Sequence, residues 1–226
     1  MTTTVQSVER AFAILETFDE DHPTRSAAEI AELAGLARPT TYRMLQTLQQ
    51  LGYVRNIGGR FEVTPRVLRL GAGYLGRSSL AAKAQPILDQ LSEELGEHAA
   101  IAALDGDDVI TLAASTTPQS RLLSIAVQPG QRLPADSTSL GRILLAHAPS
   151  ADDTDSIAIR EAGYVITDGL LESGLSSLGV PVRDRAGHVV ASMSIGVNAG
   201  RVSVDDLRTR FLPSLLHAAD LLTLRL

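Results

Sequence analysis

The chain contains no cysteine, which excludes disulfides, thiolate nucleophiles and cysteine-ligated metals. Its five histidines (His22, His98, His147, His188 and His217) are scattered, with no pair at metal-ligand spacing. There is no run of eighteen apolar residues, so the sequence offers no transmembrane helix. Met1 to Glu9 is polar and lacks the basic-then-apolar order of a signal peptide. These absences set the expectation of a cytoplasmic protein without a membrane partner. A Gly-x-Ser-x-Gly elbow and a glycine-rich phosphate loop are also missing. Asp136, Ser137 and His147 are the residue types of a hydrolase triad. However, Ser137 and His147 lie ten residues apart on one expected helix, about 15 Å along its axis. The expectation is therefore a non-enzyme with no metal and no cofactor.

What is present suits a globular protein of two modest domains: 226 residues, 44% of them hydrophobic and 20% charged. The net charge of −6 is unevenly spread. Between Arg38 and Arg77 stand seven arginines (Arg38, Arg43, Arg55, Arg60, Arg66, Arg69 and Arg77) against the single acid Glu62, about +6. Residues 79–226 carry eleven bases and eighteen acids, about −7. A basic segment on an acidic body is the electrostatic footprint of nucleic-acid binding, though a solvated basic face would look the same.

The local pattern favours DNA. Val8, Phe12, Leu15 and Phe18 recur at helical spacing and predict an amphipathic first helix, broken at His22-Pro23. Ser26-Ala27-Ala28-Glu29 is a capping box that opens a second helix. Ile30, Ala31 and Ala34 form its inner face, and Gly35 ends it. Pro39 is preorganised for the start of a third helix, to about Gln50, whose inward face is Thr41, Met44, Leu45 and Leu48. Two short helices joined by a tight turn make a helix-turn-helix. Its second helix enters the major groove of double-stranded DNA. Facing outward are Arg38, Thr40, Tyr42, Arg43 and Gln46. Arginine can pair with guanine, glutamine with adenine, and threonine offers a hydroxyl or methyl. Tyrosine and the remaining arginine suit phosphates, and which arginine reads a base stays open. Gly58-Gly59 between Tyr53–Ile57 and Arg60–Thr64 predicts a hairpin, the wing, carrying Arg55 and Arg60 toward backbone or minor groove.

Val5-Gln6-Ser7-Val8-Glu9-Arg10-Ala11 resembles the opening of IclR-family regulators, as do Leu36-Ala37-Arg38-Pro39-Thr40-Thr41-Tyr42-Arg43-Met44-Leu45 and Leu51-Gly52-Tyr53-Val54. The likeness continues through Leu68-Arg69-Leu70-Gly71, Leu133-Pro134-Ala135 and Ser139-Leu140-Gly141-Arg142, and so covers nearly the whole chain. Thr41 departs from the aliphatic residue usual there. The wording of the motifs is most similar to members controlling aromatic-acid catabolism through the β-ketoadipate pathway. The resemblance implies a winged helix-turn-helix domain over 1–65, a linker helix over 66–78 and a GAF-like α+β effector-binding domain over 79–226. It also implies that the linker helps dimerise the DNA-binding domain; packing on its own domain would explain the same apolar face. One recognition helix reads few base pairs, so a homodimer or homotetramer on a palindromic or near-palindromic operator is expected.

Beyond His98 the pattern shifts to strands, expected at 98–104, 109–114, 121–127, 164–167, 176–184 and 188–197, with helices near 138–148, 152–162 and 205–225. Pro181 places its strand at an edge or bulge. Asp136-Ser137-Thr138-Ser139 sits where a helix begins, and its free N–H groups and positive dipole end suit a carboxylate; ordinary capping explains them equally well. The resemblance implies that a small organic, aromatic-type acid binds there, with Ser139 and Leu140 at the helix start, Asp168 after the fourth strand, Ser177 on the fifth and Ser194 on the sixth. Asp168, a carboxylate, is expected to meet a ligand hydroxyl. Arg121 could add a guanidinium; a surface role is its alternative. A C-terminal half that only oligomerises remains the rival reading.

Overall fold

The structure is a computed structural model, described here for residues 4–19, 21–74, 76, 79–115 and 127–226. The chain divides into two compact units, Met1–Tyr74 and Leu75–Leu226.

In the first unit α1 spans Gln6–Leu15, β1 Thr24–Ser26, α2 Ala27–Leu33 and α3 Arg38–Gln50, followed by β2 Val54–Ile57 and β3 Arg60–Val63. The capping box forms: Ser26 Oγ accepts from the Glu29 backbone N–H, and the Glu29 carboxylate accepts from the Ser26 N–H. Gly35, at φ +63°, makes the turn into α3. Ile14, Ile30, Leu45, Leu48, Val54 and Phe61 make the core. The inner face of α3 is as expected, with Thr41 fully buried and its hydroxyl donating to the Ala37 carbonyl. This local bond lets a hydroxyl replace an aliphatic side chain there.

The stripe of α1 differs from expectation. The helix ends at Leu15, so Phe18 lies beyond it. Ile14 is the residue fully buried, whereas Val8 and Phe12 are about half exposed. The buried face is Ala11, Ile14 and Leu15, rotated from the predicted stripe. β1 was not foreseen; it pairs antiparallel with β3 and completes a three-stranded sheet in the order β1-β3-β2. Its three residues are too few to show alternation. A single 3-10 turn, Pro65–Val67, capped by Thr64, leads into the short α4, Leu68–Ala72.

The second unit opens with α5, Leu80–Leu95. An antiparallel sheet follows: β4 His98–Asp105, β5 Asp108–Ala114 and β6 Arg132–Pro134, then, after α6 Ser139–Ala146 and α7 Thr154–Ala162, β7 Val165–Asp168, β8 Leu175–Arg183 and β9 Val189–Asn198. The spatial order is β6-β5-β4-β9-β8-β7. The strand expected at 121–127 falls almost wholly outside the described residues, as does Arg121. Pro181 lies past the reach of β7, whose last partner toward that end is Gly179, so β8 is locally an edge there and no ladder bond is lost.

The chain ends in α8 Val204–Asp206, a π-turn at Leu207–Phe211 and α9 Leu212–Arg225. The wide turn sits just ahead of Pro213, whose ring and missing N–H disturb a regular ladder. Helices α5 and α9 cover one face of the sheet over Leu88, Ile101, Leu178, Met193, Ile195 and Leu215. The opposite face carries α6, packed over Ala100, Ala102, Leu133 and Ala135. The result is a helix–sheet–helix α+β layer.

Candidate functional site

Two arrangements carry chemistry, one in each unit. On α3 the side chains of Arg38, Tyr42, Arg43 and Gln46 are exposed and Thr40 is half-buried. Neither the Arg38 nor the Arg43 guanidinium makes an ion pair or hydrogen bond with any described residue. The helix therefore presents unspent guanidinium groups beside a phenol and an amide, with no acid in its first turn.

The wing is tight. Gly58 and Gly59, at φ +59° and +90°, form the two-residue turn, and the Gly59 N–H donates to Asn56 Oδ1 at 3.0 Å. Its arginines are engaged at home. Arg55 pairs with Glu62 across β2 and β3. Arg60 donates to the Thr24 hydroxyl at 3.1 Å and to the Thr24 carbonyl at 2.8 Å, and it lies 3.4 Å from the Glu29 carboxylate. Arg60 thus joins β3 to β1 and to the start of α2.

In the second unit a cavity opens at the start of α6. The free space there, open solvent at the mouth included, is about 530 Å³, and it lies over the sheet. Strand register arranges the floor in two rows. His98 stands opposite Gly196, Gly196 opposite Ser177, and Ser177 opposite Thr167. In the next row Ala100 faces Ser194, and Ser194 faces Gly179. Directly paired residues share a face, so these side chains look to the α6 side.

Two glycines let α6 settle on this floor. A Cβ on Gly179 would lie 2.7 Å from the Ser139 carbonyl oxygen, and one on Gly141 only 2.2 Å from the Ala135 backbone. Ser139 accepts the Ser177 hydroxyl at 2.8 Å, and Ser177 also lies 2.7 Å from the Thr167 hydroxyl. Thr138 caps the helix by accepting the Gly141 N–H at 3.0 Å. The N–H groups of Ser139 and Leu140 have no partner among the described residues, so the first turn keeps two donors and the positive end of its dipole. Ser192 donates to the Leu140 carbonyl at 2.7 Å and fixes the turn from behind.

Of the residues singled out in the sequence, Ser139, Leu140, Ser177 and Ser194 line this cavity together. Asp168 does not. It pairs with Ser176, not Ser177, and its carboxylate accepts the Ser176 hydroxyl at 2.5 Å. Alternation places both on the sheet face away from α6. Thr138, from the run noted at the helix start, also lines the cavity; residues not singled out from the sequence are His98 and Glu172, with walls of Val127, Leu133, Leu171 and Leu175. Burial holds the His98 imidazole below its ordinary value. No lysine or arginine appears among the described lining residues. The residue types of a hydrolase triad do not converge: the Ser137 hydroxyl donates to Asp136, while His147 is held by the Ile143 carbonyl at 2.8 Å and faces Arg183.

A winged helix-turn-helix with free arginines, joined in one chain to an α+β unit with a built cavity, defines a DNA-binding transcriptional regulator. Residues 7–58 match the IclR helix-turn-helix domain, and residues 72–158 and 154–223 match the bacterial transcriptional regulator IclR C-terminal domain. The chain belongs to the IclR family. It is 37% identical to the Pca regulon regulatory protein of Pseudomonas putida, covering 94% of this chain and 81% of that one. Its fold matches an IclR-family transcriptional regulator from Brucella abortus at a TM-score of 0.82, with 23% identity over 99% of this chain and 94% of that one. It also matches an IclR homologue from Microbacterium hydrocarbonoxydans complexed with 4-hydroxybenzoate, at a TM-score of 0.76 and 24% identity, covering 97% and 98% of the two chains. The relatives are transcriptional regulators, in keeping with the expectation of a non-enzyme. Among the described residues no helix is long and apolar enough to cross a membrane.

Proposed function

We propose that this chain binds a double-stranded DNA operator through α3 and its wing, and that a small aromatic carboxylate bound at the first turn of α6 sets the operator affinity. The observation that carries the second half is the cavity itself. Two free N–H groups and three serine hydroxyls stand with apolar walls of Val127, Leu133, Leu140, Leu171 and Leu175, and His98 and Glu172 are the titratable groups of the described lining. Such a site suits a carboxylate on a flat hydrocarbon body. The Pca regulon relative and the fold neighbour holding 4-hydroxybenzoate support the same ligand class.

In this reading Arg38, Thr40, Arg43 and Gln46 reach base edges or phosphates and Tyr42 the backbone. Arg55 and Arg60 follow along the wing, Arg60 keeping its bracing bonds. Ser139, Leu140, Ser177 and Ser194 hold the acid. The DNA-binding domain spans 1–65, the linker 66–78 and the sensor 79–226, in a cytoplasmic protein. The protein works as a homodimer or homotetramer on a near-palindromic operator. Support for self-association comes from an apolar groove in the first unit, where exposed Val8, Phe12, Leu51 and Leu70 surround Ala11, Leu15 and Met44.

The test is calorimetry with a panel of aromatic acids, on the wild type and on Leu140→Arg. Leu140 is 4% exposed, so the arginine fills the cavity. Heat of binding in the wild type and none in the variant is expected, together with an acid-dependent shift in operator affinity. Equal binding by both proteins places the ligand elsewhere. Light scattering showing a monomer, free and on DNA, would remove the oligomer.

A further inference from the structure

We propose that His98 reads a hydroxyl group of the bound acid, at the end of the cross-strand row away from Ser177, and so selects hydroxylated aromatic carboxylates over unsubstituted ones. This rests on the carboxylate reading of the cavity given above. Its ground is the cross-sheet row. His98 on β4 and Ser177 on β8 are separated by one strand, and at the place between them that strand carries Gly196. Two strand spacings are about 10 Å, and the missing side chain leaves the floor open. One benzene ring with a polar group at each end fits that interval. Ala100, Leu133, Leu140 and Leu175 supply apolar contact along it.

The two ends of the row differ in kind. At the α6 end are the free N–H groups of Ser139 and Leu140 and the bonded pair Ser139–Ser177. Opposite stands His98, half-buried, its ring without a hydrogen bond to any described residue. Burial keeps the imidazole below its ordinary value and hence neutral at pH 7, so it has one nitrogen that donates and one that accepts. That is the complement of a hydroxyl, which also does both. The other titratable group among the described lining residues is Glu172, from the loop between β7 and β8; none comes from α6 or β9. Asp168, the hydroxyl partner expected from the sequence, faces the other side of the sheet, so the role passes to His98. A ligand without the hydroxyl leaves the half-buried imidazole facing it unpaired, which is the source of discrimination.

The experiment compares benzoate and 4-hydroxybenzoate by calorimetry on the full-length wild type, His98→Phe, His98→Asn and Glu172→Gln. Phenylalanine keeps the ring and removes the hydrogen bond. The wild type is expected to favour the hydroxy acid at least tenfold, His98→Phe to favour neither by more than about twofold, and His98→Asn to recover part of the preference. Glu172→Gln should keep the wild-type ratio. The ratio is the readout because a merely structural role would weaken both acids alike. A wild type that binds neither acid overturns the carboxylate reading and this inference with it. A wild type that binds both without preference, a preference surviving in His98→Phe, or one lost only in Glu172→Gln overturns the role of His98 and leaves the cavity reading standing.

Discussion

The outer face of α3 and the floor beneath α6 are made of opposite materials. On α3, Arg38 and Arg43 lie in solvent without partners, and the charge is on the surface where a polyanion can reach it. Under α6 the described lining holds no lysine or arginine, and at the helix start its hydroxyls are bonded to one another, as in Thr167–Ser177–Ser139, with His98 and Glu172 as the titratable side chains. A surface of the first kind suits long-range, salt-sensitive attraction to a polyanion. A site of the second kind suits recognition by short bonds, where an unmatched buried group is costly. Damage should therefore show differently: as lost affinity without lost stability on α3, and as lost stability together with lost binding at α6.

The largest effect expected is from Gly141→Ala. The added methyl meets the Ala135 backbone at 2.2 Å, and backbone cannot swing aside. A cost of about 3 kcal/mol, the upper part of the overpacking range, should appear in urea unfolding of the second unit. Acid binding should be lost while effector-free operator binding persists. Stability within error of wild type would break the comparison at its α6 end.

Arg43→Ala tests the other end. Operator affinity should fall by about 1–3 kcal/mol with no change in melting temperature. If Arg43 sits on a phosphate, the salt slope also drops by about one. A folded variant that binds DNA as tightly as wild type would disqualify this helix face.

Ser177→Ala removes one hydroxyl from a bonded chain of three and should cost about 1 kcal/mol. It should also weaken acid binding, which Ser176→Ala, altered on the opposite face, should not.

The smallest effect is at Glu97, which adjoins His98 in the chain but is not among the residues that line the cavity. Its carboxyl is pushed above the ordinary 4.5 by burial, partly offset by Arg201, and its Oε2 makes no described hydrogen bond. With a raised native value, the native state holds the proton more tightly than the unfolded chain. Its contribution is thus full below about pH 4.5 and lost as pH rises through the native value. Glu97→Gln should raise the melting temperature at pH 7 relative to wild type, and the gain should vanish near pH 4. An equal gain at both pH values would refute the assignment.

The first unit was more legible than the second because its signals are local. Ser26 with Glu29, Gly58-Gly59, and Leu45 with Leu48 each declare themselves within a few residues. The rotation of α1 was missed because the choice between Phe12 and Ile14 as the buried residue depends on where α3 lies. In the second unit the strands were placed by alternation and the turn glycines, but their partners were not. A row such as His98–Gly196–Ser177 joins residues up to about a hundred positions apart, and only register creates it. The same gap misplaced Asp168, since a slip of one residue moves a side chain to the other face. A half-buried histidine opening an apolar strand was a visible signal for His98, without any indication of what it faced.

Arg60 has a wider consequence. Its guanidinium clasps Thr24 and approaches Glu29, so it cross-links the wing, the first short strand and the entry to the helix-turn-helix. The three parts form a braced frame, and bending the wing alone would break bonds at the frame's own corner. A frame of this kind resists local bending, so the wing and the helix-turn-helix are expected to move as one body, and mutations that loosen the brace should blur sequence preference before they abolish binding.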